Sequence, residues 1–210
     1  MESGSERILA QIKHSARNYL ILGTILTLMP IFIMVIVFIL VRDRADIFWI
    51  IAPVICMIGG ILVFVFQIKN YLHPENNIIF KKNPMLLPMV DELIANKVYE
   101  DRLLVFSPRI IANAMDLKQI SYTDEVFLIY VYIHRTNGVV DLKQLVLSNA
   151  RNTIKLNLAG RKDPEINELI NNIVSHCRYA RVGYNPEGLA YLDNMKKIWA
   201  ADQAKKNAQM

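Results

Sequence analysis

A chain of 210 residues that is 53% hydrophobic and 20% charged is apolar for a soluble protein. Its two cysteines, Cys56 inside an apolar run and Cys177 far along the chain, exclude a disulfide framework. The net charge of +5 suits a body held against an anionic membrane surface, whereas the scattered basic residues and the lack of an aromatic-plus-basic strand motif exclude nucleic acid as an expected partner.

Residues 1–18 read as a cytoplasmic N-terminal flank. Met1 to Ser5 is small and polar, with disorder expected. Ile8, Leu9 and Ile12 fall on one side of the following stretch and Arg7, Lys13 and Arg17 elsewhere, as in a short interfacial helix or a plain polar flank. No charged residue then occurs over 19–41, and none over 47–68. Each run exceeds the roughly 18 to 20 apolar residues that cross a bilayer core as a helix. Between them, Arg42, Asp43, Arg44 and Asp46 would each cost roughly 2.5 to 3.5 kcal/mol at mid-bilayer. Residues 42–46 are therefore a short external loop, and the chain folds as a two-helix transmembrane hairpin.

Arg7, Lys13 and Arg17 before the first span, and Lys69, Lys81 and Lys82 after the second, outweigh Arg42 and Arg44. Both termini are expected on the cytoplasmic side of a cell (inner) membrane, with the bilayer as an integral partner. The first span is too long for a cleaved signal peptide. Pro30 is expected to bend it. Ala52, Cys56 and Gly60 recur every four residues in the second span, where small side chains let a helix backbone approach closely. They serve packing inside the hairpin or assembly with another copy or subunit. Neither span holds an acidic, basic or histidine side chain, which argues against a pump or transporter built from this chain alone.

Residues 69–98 form a juxtamembrane linker and helix. His73-Pro74-Glu75-Asn76-Asn77 is a turn-rich exit. Asn83 and Pro84 start a helix that places Leu86, Val90, Leu93 and Ile94 on one face up to about Asn96, with Pro88 in its first turn. From Tyr99 onward strands dominate. Short ones are expected over 102–107, 110–114 and 119–122. A long apolar strand over 126–134 runs into Asn137-Gly138, the strongest short hairpin signal, and returns over 139–147. A last strand covers 153–158. Short turns between successive strands predict an antiparallel sheet.

Asp163 as cap and Pro164 at the first helical position open a helix. Its apolar stripe is Ile166, Leu169, Ile170, Ile173, Val174 and Cys177, which must bury against the sheet. The result is an α+β domain over 99–184. Asn185-Pro186 starts a further C-terminal helix within 185–210, carrying Leu189, Leu192, Met195 and Trp199, with fraying expected over 203–210.

Three stretches carry a resemblance: LLVFSPRII, ISYTDEVFLIYVYIH running into NG, and DPEINELINNIVSHC. In this order they resemble the pleckstrin-homology-like (PH-like) modules that bacterial membrane proteins carry after a transmembrane hairpin. The resemblance covers residues 99–184. It implies an antiparallel PH-like barrel closed by a C-terminal amphipathic helix, acting as a binding scaffold. Phosphoinositide-binding members cluster Lys and Arg around the first strand turn. Here that turn, Ser107-Pro108-Arg109, holds one basic residue, which puts a specific head-group pocket in doubt.

Asp124 and Glu125 are adjacent acids at the start of a strand, where neighbours point to opposite faces and make a poor acid/base pair, so a turn or a solvated edge is expected of them. His14, His73, His134 and His176 lack metal-ligand spacing, and no phosphate loop, nucleophile elbow or dinucleotide fingerprint occurs. No catalytic residue, metal or cofactor is expected. Arg178, Tyr179, Arg181 and Tyr184 are either a contact for an acidic partner or lipid head group, or a solvated helix exit. The expectation is a non-catalytic, membrane-tethered module presenting its cytoplasmic domain to a protein, a peptide or the membrane surface. The alternative is an accessory subunit assembled through the hairpin, with a lipid-acting enzyme third.

Overall fold

The computed structural model describes residues 3–40 and 48–208, so the expected external loop over 42–46 lies outside the described residues. The chain divides into two units, Glu6–Met85 and Leu86–Met210, the second also taking in Met1–Ser5.

The first unit is a helical pair. Helix α1, Gly4–Leu40, is continuous through Pro30, so the expected flank is helical from Gly4 and runs unbroken into the apolar stretch. Helix α2 spans Phe48–Leu72 and includes Pro53. Both are long and apolar enough to cross a membrane, and only 11% of each apolar stretch is buried. They run side by side where glycine meets glycine. A β-carbon on Gly23 would stand 3.1 Å from the Gly60 carbonyl oxygen. Nearer the other end, Lys13 Nζ lies 5.2 Å from the Tyr71 ring centre, the pairing expected of an antiparallel register. A 3-10 turn at Pro74–Asn76 and a short helix α3, Ile78–Lys82, follow.

The second unit opens with α4, Leu86–Ala95, whose Leu86, Met89, Val90, Leu93 and Ile94 are buried. Leu86, Val90, Leu93 and Ile94 form the face expected from the sequence spacing. The first residues of α1 dock on α4. Ser5 N–H donates to Asp91 Oδ1 at 2.7 Å, and Gly4 lies so close to the Val90 backbone that no β-carbon fits there.

Two sheets follow. The first is an antiparallel meander of β1 (Tyr99–Glu100), β2 (Leu104–Phe106), β3 (Ile110–Asn113) and β4 (Asp116–Tyr122). The second comprises β5 (Val126–Thr136), β6 (Val139–Asn149), β7 (Thr153–Asn157) and β8 (Arg181–Val182), in the order β7-β6-β5-β8. No closed barrel forms among the described residues, which corrects the barrel expectation. Side chains bridge the two sheets instead of a continuous ladder. Asn113 Nδ2 donates to the Lys155 carbonyl at 2.9 Å, and Lys155 N–H donates to Gln119 Oε1 at 2.8 Å. A second correction is that β8 pairs parallel with β5, so the sheet is not wholly antiparallel.

Helix α5, Asp163–His176, buries Ile166, Leu169 and Ile173 in the main core, with Cys177 just beyond its end. They pack with Leu104, Phe106, Ile129, Leu145, Leu147, Ile154 and Leu156. Ile170 is only partly buried and Val174 is exposed at the rim. The N-cap is Lys162 rather than Asp163, because the helix begins one residue earlier and Pro164 takes its second position. Helix α6, Pro186–Ala208, persists through most of the stretch expected to fray. Its Leu189, Leu192, Met195 and Trp199 pack on Phe127 and Leu128. This second cover explains the unbroken apolar run of β5. The run is sandwiched on both faces from Val126 to Ile129, so no polar alternation is needed there.

Candidate binding edge

Strand β5 has two different margins. Strand β6 pairs with it from Val126 to Thr136, along its whole length. On the other margin, among the described residues, β8 pairs only at Leu128 and Ile129. Gly183 N–H then donates to the Ile129 carbonyl at 2.9 Å, and at Gly183 (φ 116) the backbone takes a conformation that glycine adopts freely. Since Ile129 presents its main-chain groups to the β8 side, alternate residues Val131 and Ile133 do so too. Their N–H and C=O groups therefore form an open edge.

The same stretch leaves the core. Burial stops at Ile129, Val131 is half-buried, and every residue from Tyr132 to Val140 is exposed. The arm is well made nonetheless. Asn137 (φ 52) and Gly138 (φ 83) form the tight turn that the Asn-Gly signal predicts. A register shift next to His134 leaves Asp141 as an extra residue. Its carboxylate accepts from Thr136 Oγ1 at 2.6 Å and lies 2.9 Å from His134 Nδ1. Those two hydrogen bonds hold the Asp141 carboxyl below its usual pKa. Tyr132, Ile133, Val139 and Val140 thus present large apolar groups to solvent on an ordered arm.

Basic and aromatic side chains surround the start of this edge. Arg181 lies in β8, opposite Leu128, with its guanidinium carbon 4.1 Å from the Tyr191 ring centre on α6. Tyr191 is anchored in turn, its hydroxyl donating to the Tyr179 carbonyl at 2.8 Å. Tyr184 packs on Tyr130 of β5, ring centres 4.7 Å apart. Arg178 stands 5.6 Å over the Tyr179 ring. The four expected contact residues are therefore all exposed, and three of them engage the β5–α6 junction. Arg178 stacks on its chain neighbour Tyr179. A stacked guanidinium keeps its N–H groups free at the rim. Sequence reading missed Tyr130, Tyr191 and β8 itself, because a two-residue strand carries no periodicity.

The remaining candidates resolve separately. Gly60 is buried against α1, Ala52 is half-buried and Cys56 is exposed. Of this small-residue series, Gly60 is thus spent on packing inside the helical pair. Asp124 and Glu125 lie in a 3-10 turn, Thr123–Glu125, just before β5, in keeping with the turn expected of them. Burial raises the Glu125 pKa, opposed by the Arg151 guanidinium 3.6 Å away. Arg151 also stacks on Trp199, 4.9 Å from its ring centre, tying α6 to the β6–β7 turn. His176, exposed at the end of α5, packs over the buried Phe106 with ring centres 4.4 Å apart. Among the described residues no group of three or more His, Cys, Asp or Glu is placed to hold a metal ion. Comparison with protein-family models, curated proteins and solved structures finds no match for this chain.

Proposed function

We propose that this chain is a non-catalytic, membrane-anchored binding module whose C-terminal domain captures an extended peptide segment along β5. In this reading α1 and α2 span a bacterial cell membrane as a hairpin, with both termini cytoplasmic. The C-terminal domain is PH-like. Two four-stranded sheets, with an amphipathic helix following β7 and packed on them, support that reading. The side-chain bridges from Asn113 and Gln119 to Lys155 then take the place of barrel closure.

The observation that carries the proposal is the half-open β5: among the described residues it is fully paired by β6, paired by β8 at two residues, and exposed beyond. A partner strand entering after Gly183 gains main-chain hydrogen bonds from Val131 and Ile133. Arg181 and Arg178 at the near end and Arg135 at the far end favour acidic residues in that strand. Anchoring restricts the search to the membrane surface and raises the effective concentration for a membrane-bound partner.

The test is a proline at Ile133. Its N–H faces the open edge, so proline removes a docking donor while the β6 ladder keeps its own. A photo-crosslinking residue at Tyr132, in native membranes, should attach one recurrent protein neighbour, and Ile133→Pro should abolish the adduct without lowering the thermal midpoint appreciably. Adducts to lipid alone, or an unchanged protein adduct in the proline variant, would overturn the reading.

A further inference from the structure

The segment after α2 has features that the peptide-binding reading does not use. Asn77 caps α3 by accepting from Ile79 N–H at 3.0 Å, and its amide donates to Asn70 Oδ1 at 3.1 Å. Asn70 in turn donates to Gln67 Oε1 at 3.3 Å. This polar chain ties α3 to the last turns of α2 rather than leaving it a free linker. The tied segment exposes three large apolar side chains, Leu72 (61%), Ile78 (65%) and Met85 (57%). Its charge is basic: Lys69, Lys81 and Lys82 are exposed, and among the described residues none forms an ion pair, while the nearby Glu75 lies against His73 at 3.2 Å. On α1, Lys13 comes to the same level through its contact with Tyr71, and Arg17 lies one turn further along.

We propose that α3 and its flanks, residues 72–85, form a collar that binds anionic lipid head groups, with Ile78, Leu72 and Met85 entering the interface and Lys81 and Lys82 meeting the phosphates. The inference rests on the reading of α1 and α2 as membrane spans. Two observations select the lipid surface over a protein partner. The collar is continuous with an apolar helix that already requires lipid, and its charge is complementary to an anionic leaflet. Exposed apolar groups interleaved with lysines are the composition of an interfacial segment. The lysine stems reach along the apolar surface while their heads stay in water.

The test uses the full chain with Cys56→Ser and Ile78→Cys, labelled with an environment-sensitive dye at the new thiol; Cys177 is buried and stays unlabelled. The protein is reconstituted into vesicles of phosphatidylcholine, or of equal parts phosphatidylcholine and phosphatidylglycerol. The dye should be quenched by lipids bearing a nitroxide near the head group, and more strongly with phosphatidylglycerol. Lys81→Gln with Lys82→Gln should lower the inserted-to-free ratio about twenty-fivefold, from roughly fivefold per lysine. A control label at Ile58→Cys should be quenched by deep nitroxides in both vesicles. If the control is quenched and the Ile78→Cys label remains in water, the collar is wrong and the spanning hairpin stands. An unquenched control overturns both. Equal quenching with and without phosphatidylglycerol overturns the preference for anionic lipid.

Discussion

Alanine at Gly60 and alanine at Gly59 should have opposite effects on the helical pair, although the residues are neighbours. At Gly60 a β-carbon would overlap Thr27 Oγ1 and stand 2.9 Å from both the Gly23 carbonyl oxygen and the Thr27 amide nitrogen. The hydroxyl could rotate away, at the loss of its 2.8 Å hydrogen bond to the Gly23 carbonyl. The two backbone atoms cannot rotate, so the helices must separate. Forcing a methyl group into such a packed contact costs about 1–3 kcal/mol. At Gly59 a β-carbon meets nothing within 4 Å. There only helix propensity acts, favouring alanine by about 1 kcal/mol. That propensity gain is common to both variants, so the difference between them isolates the contact at about 1–3 kcal/mol. The assay is reversible unfolding in mixed micelles, titrating a denaturing detergent and following the distance between dyes on the two helices. Gly60→Ala should shift the midpoint to lower denaturant and Gly59→Ala should leave it or raise it. Equal midpoints would refute the packing of α2 on α1 through Gly60. A loss of self-association in Gly60→Ala with no change in hairpin stability would place Gly60 in an intermolecular contact instead.

Other consequences are equally specific. Burial opposes charge on Asp101, but the N–H groups of Leu104 and Leu103 and the Arg161 guanidinium hold its pKa below the ordinary 3.8. Its stabilising effect should be complete above 3.8 and lost as pH falls through its lower folded value, and Asp101→Asn should cost about 1.5–3 kcal/mol at neutral pH in denaturant titrations. Glu125 runs the other way. Its pKa is raised above 4.5 by burial, so its contribution is greatest below 4.5 and lost as pH rises through the folded value; Glu125→Gln should be neutral or stabilising at neutral pH. Burial pushes the Cys177 thiol up to about 12, so maleimide should modify it only after unfolding, as mass spectrometry would show. Leu192→Ala removes the buried anchor of α6 and should cost about 2–5 kcal/mol, with amide exchange rising first along α6. Replacing Arg178 and Arg181 by alanine should weaken capture of an acidic segment by about two- to fivefold per residue, the worth of exposed charge pairs, and leave folding unchanged.

Much of the local structure follows from nearest-neighbour patterns alone. The two uncharged runs are each long enough to be one continuous helix. The stripe from Ile166 to Cys177 marks one helix face, and Asn137-Gly138 marks a tight reversal. Each of these depends on a period or a dipeptide within a few residues, which is why it is legible without the fold. The expected contact group at Arg178, Tyr179, Arg181 and Tyr184 was legible as composition only. Pairing Arg181 with Tyr191 and Tyr184 with Tyr130 needed β8, whose two residues leave no periodic trace.

Three outcomes belonged to the tertiary structure. The spacing of Ala52, Cys56 and Gly60 is compatible with a contact inside the hairpin or outside it, and Gly60 lies against Gly23 and Thr27. The apolar run of β5 requires two covers, and nothing local says that the second is α6. The two sheets meet through Asn113 and Gln119 rather than through a closed ladder, because polar side chains can satisfy the Lys155 main chain where β4 and β7 do not pair. Periodicity tells a segment which face to bury. Which other face it meets depends on shape and hydrogen-bond satisfaction between residues far apart in the chain, and these exist only once the chain has folded.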